Sequence, residues 1–189
     1  MSPNTHHREG ARRIRLASGS TDIEKTLRRV TQVLSDHDIP HLVVGGYCVQ
    51  EHGYPRFTSD VDVIVPDVTH ARSWLSINGF KENAGSSMTL TDRATKVEVD
   101  LMPGGGSVGP GPLKLPQPTE ISAAPQIAGL LTLINIKLSS YLGSPINRAK
   151  DMADVVELIK ANSPPRDLGV AEPVRVEYER LWDGLHLED

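Results

Sequence analysis

Between residues 42 and 65 the chain runs LVVGGYCVQEHGYPRFTSDVDVIV, and its chemistry-bearing side chains concentrate there. Asp60 and Asp62 stand at i and i+2 in a segment that alternates acid with Val and Ile. In an extended strand this spacing puts both carboxylates on one face, about 7 Å apart at Cα, with Val61, Val63 and Val65 on the other. Two such neighbours repel each other unless a cation lies between them. Mg2+, a hard cation that takes one or two carboxylates together with substrate phosphates, suits them. A second alternating run, 95–102, offers Glu98 and Asp100 on one face and Val97, Val99 and Leu101 on the other. Asp100 beside the first pair would give three carboxylates, enough to hold two ions about 4 Å apart and to serve phosphoryl transfer. Glu98 is the other candidate for that third position.

Gly45-Gly46 closes a short apolar strand and opens a short helix. Backbone N–H groups in such a turn can meet a phosphate closely, because no side chain stands in the way. The order strand, Gly-Gly, short helix, Asp-x-Asp strand therefore sets a phosphate cradle near a metal pair. Other matches fail on context. Gly104-Gly105-Gly106-Ser107-Val108-Gly109 has the spacing of a dinucleotide fingerprint, but Pro110-Gly111-Pro112 prevents the helix that such a site requires. No G-x-x-x-x-G-K-[ST] loop is present, and His7-x-Glu9 lacks the cysteine pair of a zinc deaminase.

These residues need elements to hold them. Thr21-Asp22-Ile23-Glu24 reads as a capping box, and Ile23, Leu27, Val30 and Leu34 follow at helical spacing, so 22–37 is an expected helix. His41–Val44 is a buried strand, 47–52 a short helix, 60–65 a strand stopped by Pro66, and 69–78 a helix capped by Gly79. Strands are expected at 86–92 and 95–102. Residues 103–118 hold five Gly and five Pro, a long surface loop able to form neither helix nor central strand. Helices are expected at 130–141 and 149–160, separated by Gly143-Ser144-Pro145, and a short one at 172–183. The domain expectation is a disordered basic arm at 1–20, a core at 21–102, the Gly/Pro loop at 103–118, and a helical part at 119–189 packed on the core.

The whole chain has 189 residues and a net charge of −4. Residues 1–20 carry four Arg and one Glu, so the arm is +3 and the remainder −7. An acidic body does not grip a nucleic-acid duplex by charge alone. One cysteine, Cys48, excludes an internal disulfide framework and a multi-cysteine zinc site, and is expected in the core. No apolar run approaches the roughly 18 residues of a membrane span, and the start does not read as a secretory signal. A reducing cytoplasm is the expected compartment, with no membrane partner.

The strand, Gly45-Gly46, Asp60-x-Asp62 and later-acid pattern resembles the nucleotidyltransferase superfamily, the fold shared with DNA polymerase beta. Arg56-x-Thr58-x-Asp60-x-Asp62 is similar to two of its groups, the AbiEii-type toxins and the small antibiotic adenylyltransferases acting on aminoglycosides or lincosamides. Gly46 departs from the Gly-Ser version, so a hydroxyl contact to phosphate would be lost. Leu130–Lys137 followed by Arg148-x-Lys150-Asp151-x-x-Asp154 extends the likeness to AbiEii-like proteins, and the resemblance covers roughly residues 40–160.

The resemblance implies an α/β (α+β) fold, a small mixed sheet flanked by helices and followed by a helical part. It implies an enzyme that moves an NMP from an NTP to a hydroxyl, with Asp60, Asp62 and Asp100 as catalytic and Mg2+-binding residues. Gly45, Gly46, Arg56, Thr58 and Lys137 would bind the nucleotide, Lys137 by meeting the triphosphate. Arg56 has a second role open to it, locking the acidic loop through a carboxylate pair. Thr58 would brace the turn into the metal strand. Arg148, Lys150, Asp151 and Asp154 fit ion pairs at helical spacing as well as a site role. The expected acceptor is a tRNA or protein hydroxyl, as for a toxin with an antitoxin partner; the alternative is a small antibiotic. A further alternative is a nucleotide-binding or interaction module without chemistry.

Overall fold

A computed structural model describes residues 21–187; the expected arm at 1–20 lies outside the described residues. The elements are α1 (Asp22–Asp36), β1 (Leu42–Val44), α2 (Gly45–Glu51), β2 (Asp60–Val65), α3 (Val68–Ile77), β3 (Phe80–Glu82), β4 (Thr89–Asp92), β5 (Glu98–Pro103), α4 (Leu130–Gly143), α5 (Ala149–Asn162) and α6 (Glu172–His186). The fold is mixed α/β, as expected. Its five-stranded sheet has the order β1-β2-β5-β4-β3.

Sequence chemistry accounts for the main boundaries. Thr21 and Glu24 form the reciprocal capping box that starts α1, with the Glu24 N–H donating to Thr21 Oγ1 at 3.2 Å and the Thr21 N–H to Glu24 Oε2 at 2.9 Å. Asp67 caps α3 by accepting from the His70 N–H at 3.0 Å. The period-two alternation of β2 and β5 sends Val61, Val63, Val99 and Leu101 into a core they share with Leu27, Val30 and Leu34 of α1 and Ala71 and Leu75 of α3. Burying such side chains stabilises each by about 1.5–3 kcal/mol, and it fixes which face of each strand turns inward.

β2 pairs with β1 antiparallel and with β5 parallel, the latter in the register Asp60↔Glu98 and Asp62↔Asp100. β4 runs antiparallel to β5 with Thr89↔Asp100 and Thr91↔Glu98. The acids of β2 and β5 and the threonines of β4 therefore share the sheet face opposite α1 and α3.

Three expectations need adjusting. β3 was absent from the sequence reading: Phe80 follows the Gly79 cap directly and is fully buried, which pins three residues to the edge of β4. The short helix begins at Gly45 itself rather than at Tyr47. The Gly/Pro connector contains neither helix nor central strand, yet it is no loose surface loop. The Gly105 N–H bonds Leu115 O at 3.0 Å, the Leu115 N–H bonds Gly106 O at 2.8 Å, and Ser107 bridges Lys114. This hairpin buries Val108 and Leu115, and its Leu113 N–H donates to Ser139 Oγ of α4 at 2.9 Å. Glycine is needed at position 111 for that contact, since a Cβ on Gly111 would overlap the Ser139 carbonyl.

The helical part is continuous with the core. Leu133, Ile134 and Leu138 of α4 and Val155, Leu158 and Ile159 of α5 belong to the same buried cluster as the strands. Ile127 and its neighbours also run parallel along the free edge of β1, with the Val43 N–H donating to Gln126 O at 2.7 Å and the Ala128 N–H to Val43 O at 2.9 Å. Cys48 is fully buried, as expected. Among the described residues no helix is long and apolar enough to cross a membrane.

Candidate active site

β1 ends at Val44, directly opposite Asp62 on β2. The chain then turns through Gly45 with φ of +70°, a left-handed conformation that an L side chain rarely adopts. Space gives a second reason for glycine there, because a Cβ on Gly45 would fall on the Asp62 carboxylate. Next to it, a Cβ on Gly46 would press on Thr58 Oγ1 and lie 2.6 Å from Arg56 Nη2. The Gly-Gly turn is thus packed against the Arg56-x-Thr58-x-Asp60-x-Asp62 segment, and fourteen residues of separation in sequence close into one spot.

The carboxylates are individually braced. Asp60 Oδ1 accepts from Thr58 Oγ1 at 2.9 Å, and Asp100 Oδ1 accepts from Thr89 Oγ1 at 2.6 Å. Asp62, half-buried, accepts a backbone hydrogen bond from Gly46. Its carboxyl is nevertheless pushed up to about 6, first by burial, then by the charges of Asp60 and Asp100; Lys137 and the Gly46 N–H pull the other way. Register separates the two candidates for the third acid. Asp100 sits beside Asp62, whereas Glu98 is exposed and accepts from Asn83 Nδ2 at 3.1 Å.

As a donor set these are hard oxygens on one sheet face; burial is the main reason the Asp62 carboxyl is raised, and the smaller repulsion from Asp60 and Asp100 is one that a divalent cation would relieve. The chemistry fits Mg2+. The side chains are not preassembled around it: among the described residues no group of three His, Cys, Asp or Glu is arranged to hold a metal ion.

The two cations that the sequence singled out share a partner on α5. Lys137, in the middle of the apolar α4, is buried, and its Nζ lies 2.7 Å from Asp154 Oδ2 and 2.8 Å from Asp151 Oδ1. Arg56 Nε lies 3.1 Å from Asp154 Oδ1. Arg56 Nε and Asp154 Oδ2 are buried without a well-angled hydrogen bond, so both are charge contacts more than directed bonds. Asp154 therefore couples the loop before β2 to α4 from α5. Asp151 and Asp154, three residues apart on one helical face, pair across helices and not along their own. Arg148 and Lys150 are exposed and stand outside this cluster. Arg56 also donates to Phe57 O at 2.9 Å, which leaves its Nη2 beside Gly46.

Sequence reasoning missed Thr89, Ser86 and Asn83, which hydrogen-bond the β5 acids directly or through one another. Only the alternation Thr89-Leu90-Thr91 hinted at them, and it becomes informative once β4 is placed beside β5.

No family model matches the chain. No curated protein matches it. Among solved structures the chain is similar to the antibiotic-resistance factor ANT(2'')-Ia at 14% identity, with 86% of this chain and 92% of that chain covered and a TM-score of 0.49. So distant a likeness does not bear on the chemistry of this site, which stands on its own residues.

Proposed function

We propose that this chain is a Mg2+-dependent nucleotidyltransferase that moves an NMP from an NTP to an acceptor hydroxyl. The observation that carries this is the parallel register of β2 and β5, which sets Asp100 beside Asp62, two residues from Asp60 and next to the Gly45-Gly46 turn. Asp60, Asp62 and Asp100 would hold Mg2+, which supplies charge neutralisation on the phosphates when bound. The N–H groups of Gly45 and Gly46 would meet the phosphates, and Arg56 Nη2, beside Gly46, would add a cationic donor. Thr58 holds Asp60 in place for this role.

Lys137 acts on this arrangement through its field, since its charge favours the ionised form of Asp62. Because Asp151 and Asp154 already engage it, its ammonium serves as a fixed member of the cluster. In the transfer step the acceptor oxygen bonds to the α-phosphorus as the bond to the pyrophosphate oxygen breaks. Asp100 takes the acceptor's proton, and pyrophosphate leaves. We take residues 21–102 as the core and the connector and helical part as its completion, because Lys137, Asp151 and Asp154 come from the latter.

The acceptor is settled by assay. NTPs labelled at the α-phosphate are incubated with Mg2+ and the protein, in parallel with tRNA, with total protein, and with aminoglycosides or lincosamides. Label in RNA or protein supports a toxin-like enzyme, for which an antitoxin partner is then to be sought. Label in a drug supports the antibiotic-modifying alternative. NTP binding with no transfer to any acceptor would favour a nucleotide-binding module that has lost its chemistry.

A further inference from the structure

We propose that Thr89 is a positioning residue for Asp100, held in its working orientation by Ser86. This deepens the nucleotidyl-transfer reading and rests on it, because it assigns Asp100 a job that Thr89 makes reproducible.

The direction of each hydrogen bond in this chain can be worked out from the donors available. Ser86 Oγ accepts from the Met88 N–H at 3.2 Å and from the Thr89 N–H at 3.0 Å. Its own hydrogen is thereby turned toward Thr89 Oγ1, at 3.0 Å. With its lone pair so engaged, Thr89 directs its hydrogen at Asp100 Oδ1, 2.6 Å away, within the range of a charge-assisted O–H···O contact. Thr89 and Asp100 are direct partners in the β4–β5 register, so the short distance follows from strand pairing and needs no unusual backbone.

The neighbouring pair is wired differently. Thr91, opposite Glu98, donates to Asn83 Oδ1 at 2.7 Å, and it is Asn83 Nδ2 that reaches Glu98. Two threonines with the same strand geometry thus serve different acids, and only Thr89 bonds a carboxylate directly. Asp60 receives the same treatment from Thr58. Both outer carboxylates of the Asp60, Asp62 and Asp100 set therefore have one oxygen fixed by a threonine hydroxyl. A neutral donor suits this purpose: it fixes the carboxylate rotamer without cancelling the negative charge that a cation or an acceptor proton needs.

Thr89→Val keeps the branched shape of the strand residue and removes only the hydroxyl, and Thr89→Ser returns the hydroxyl without the methyl. Three quantities are measured on the full chain: kcat and KM for the NTP, Mn2+ affinity without nucleotide by electron paramagnetic resonance, and thermal melting. Partners of this kind are worth about 10–100-fold in metal affinity or activity. The expected result is a fall of that size in kcat for Thr89→Val, with KM for the NTP nearly unchanged, weaker Mn2+ binding and an unshifted melting curve. Thr89→Ser should recover most of the loss, and Ser86→Ala should reproduce a smaller part of it.

Wild-type kcat and Mn2+ affinity in a folded Thr89→Val variant would overturn the proposal and leave the nucleotidyl-transfer reading standing. Equal losses in Thr89→Val and Thr89→Ser with lowered melting would also overturn it, in favour of a packing role. Absence of both Mn2+ binding and transfer in the wild-type protein would instead remove the nucleotidyl-transfer reading, and Thr89's role with it.

Discussion

Asp154 Oδ2 lies 2.7 Å from Lys137 Nζ, and both side chains are almost wholly out of water. The same carboxylate reaches Arg56 through its other oxygen at 3.1 Å. One acid on α5 thus anchors a cation from the middle of α4 and another from the loop that leads into β2. Isolated charges at this depth would be strongly unfavourable, so the partners are interdependent.

Removing Asp154 leaves two cations facing each other in the interior. Asp154→Ala should destabilise the protein by about 3–5 kcal/mol, the range for breaking one side of a buried pair. Asp151 is half-buried and, among the described residues, forms its ion pair with Lys137 and not with Arg56, so Asp151→Ala should cost clearly less. Urea unfolding of the two variants at pH 7 measures the difference. Equal costs would mean that Asp154 does not bridge Arg56 and Lys137 in solution.

Asp62 sets a pH dependence whose sign can be worked out. Its carboxyl is raised from 3.8 to about 6 in the folded chain, chiefly by burial and then by Asp60 and Asp100. The folded state therefore binds this proton more tightly than the unfolded state does. Its contribution favours folding at acid pH and is lost as pH rises through about 6. Without metal, Asp62→Asn should stabilise the protein at pH 8 by about 1–2 kcal/mol, discounted for partial exposure, and give no such gain near pH 4. Melting curves in EDTA at the two pH values test this. A variant that is less stable than wild type at pH 8 would contradict it.

Gly45 carries both a backbone and a steric requirement. Gly45→Ala forces an L residue into φ of +70° and drives its methyl group onto Asp62. The backbone term alone is about 1–2 kcal/mol, so the melting temperature should fall by several degrees. Displacing Asp62 should also weaken Mg2+-dependent NTP binding. Melting combined with NTP titration separates the two effects, and an unchanged NTP affinity would mean that the Gly-Gly turn does not adjoin the nucleotide.

Much of the fold was legible in local chemistry. The capping box at Thr21 and the period-two alternation of 60–65 depend on neighbours in sequence and formed where expected, whereas the strands expected at 86–92 and 95–102 begin only at Thr89 and Glu98, the latter after a left-handed turn at Lys96. β3 was not legible, because three residues after a glycine cap carry no periodicity and are held only by pairing with β4. The connector hairpin was hidden for a related reason: its composition reads as loop, while its order comes from Ser139, 26 residues beyond Leu113.

The candidate site divides in the same way. The Asp-x-Asp pair announced itself by spacing. The choice between Glu98 and Asp100 was a question of strand register, which alternation alone leaves open. Arg56 and Lys137 were identified as cations of interest, but their shared partner Asp154 is brought to them by helix packing that no local pattern encodes.

Nucleotidyl transfer by this chain requires Asp60, Asp62 and Asp100 to make a Mg2+-dependent nucleotide site. Calorimetric titration of ATP, GTP, CTP and UTP with Mg2+, into wild type and into Asp62→Asn, tests it most directly. Wild type should bind at least one NTP, EDTA should abolish the binding, and a folded Asp62→Asn variant should bind about tenfold or more weakly. A folded Asp62→Asn variant that binds the same NTP as tightly as wild type, or a wild-type protein that binds none of the four, would contradict it.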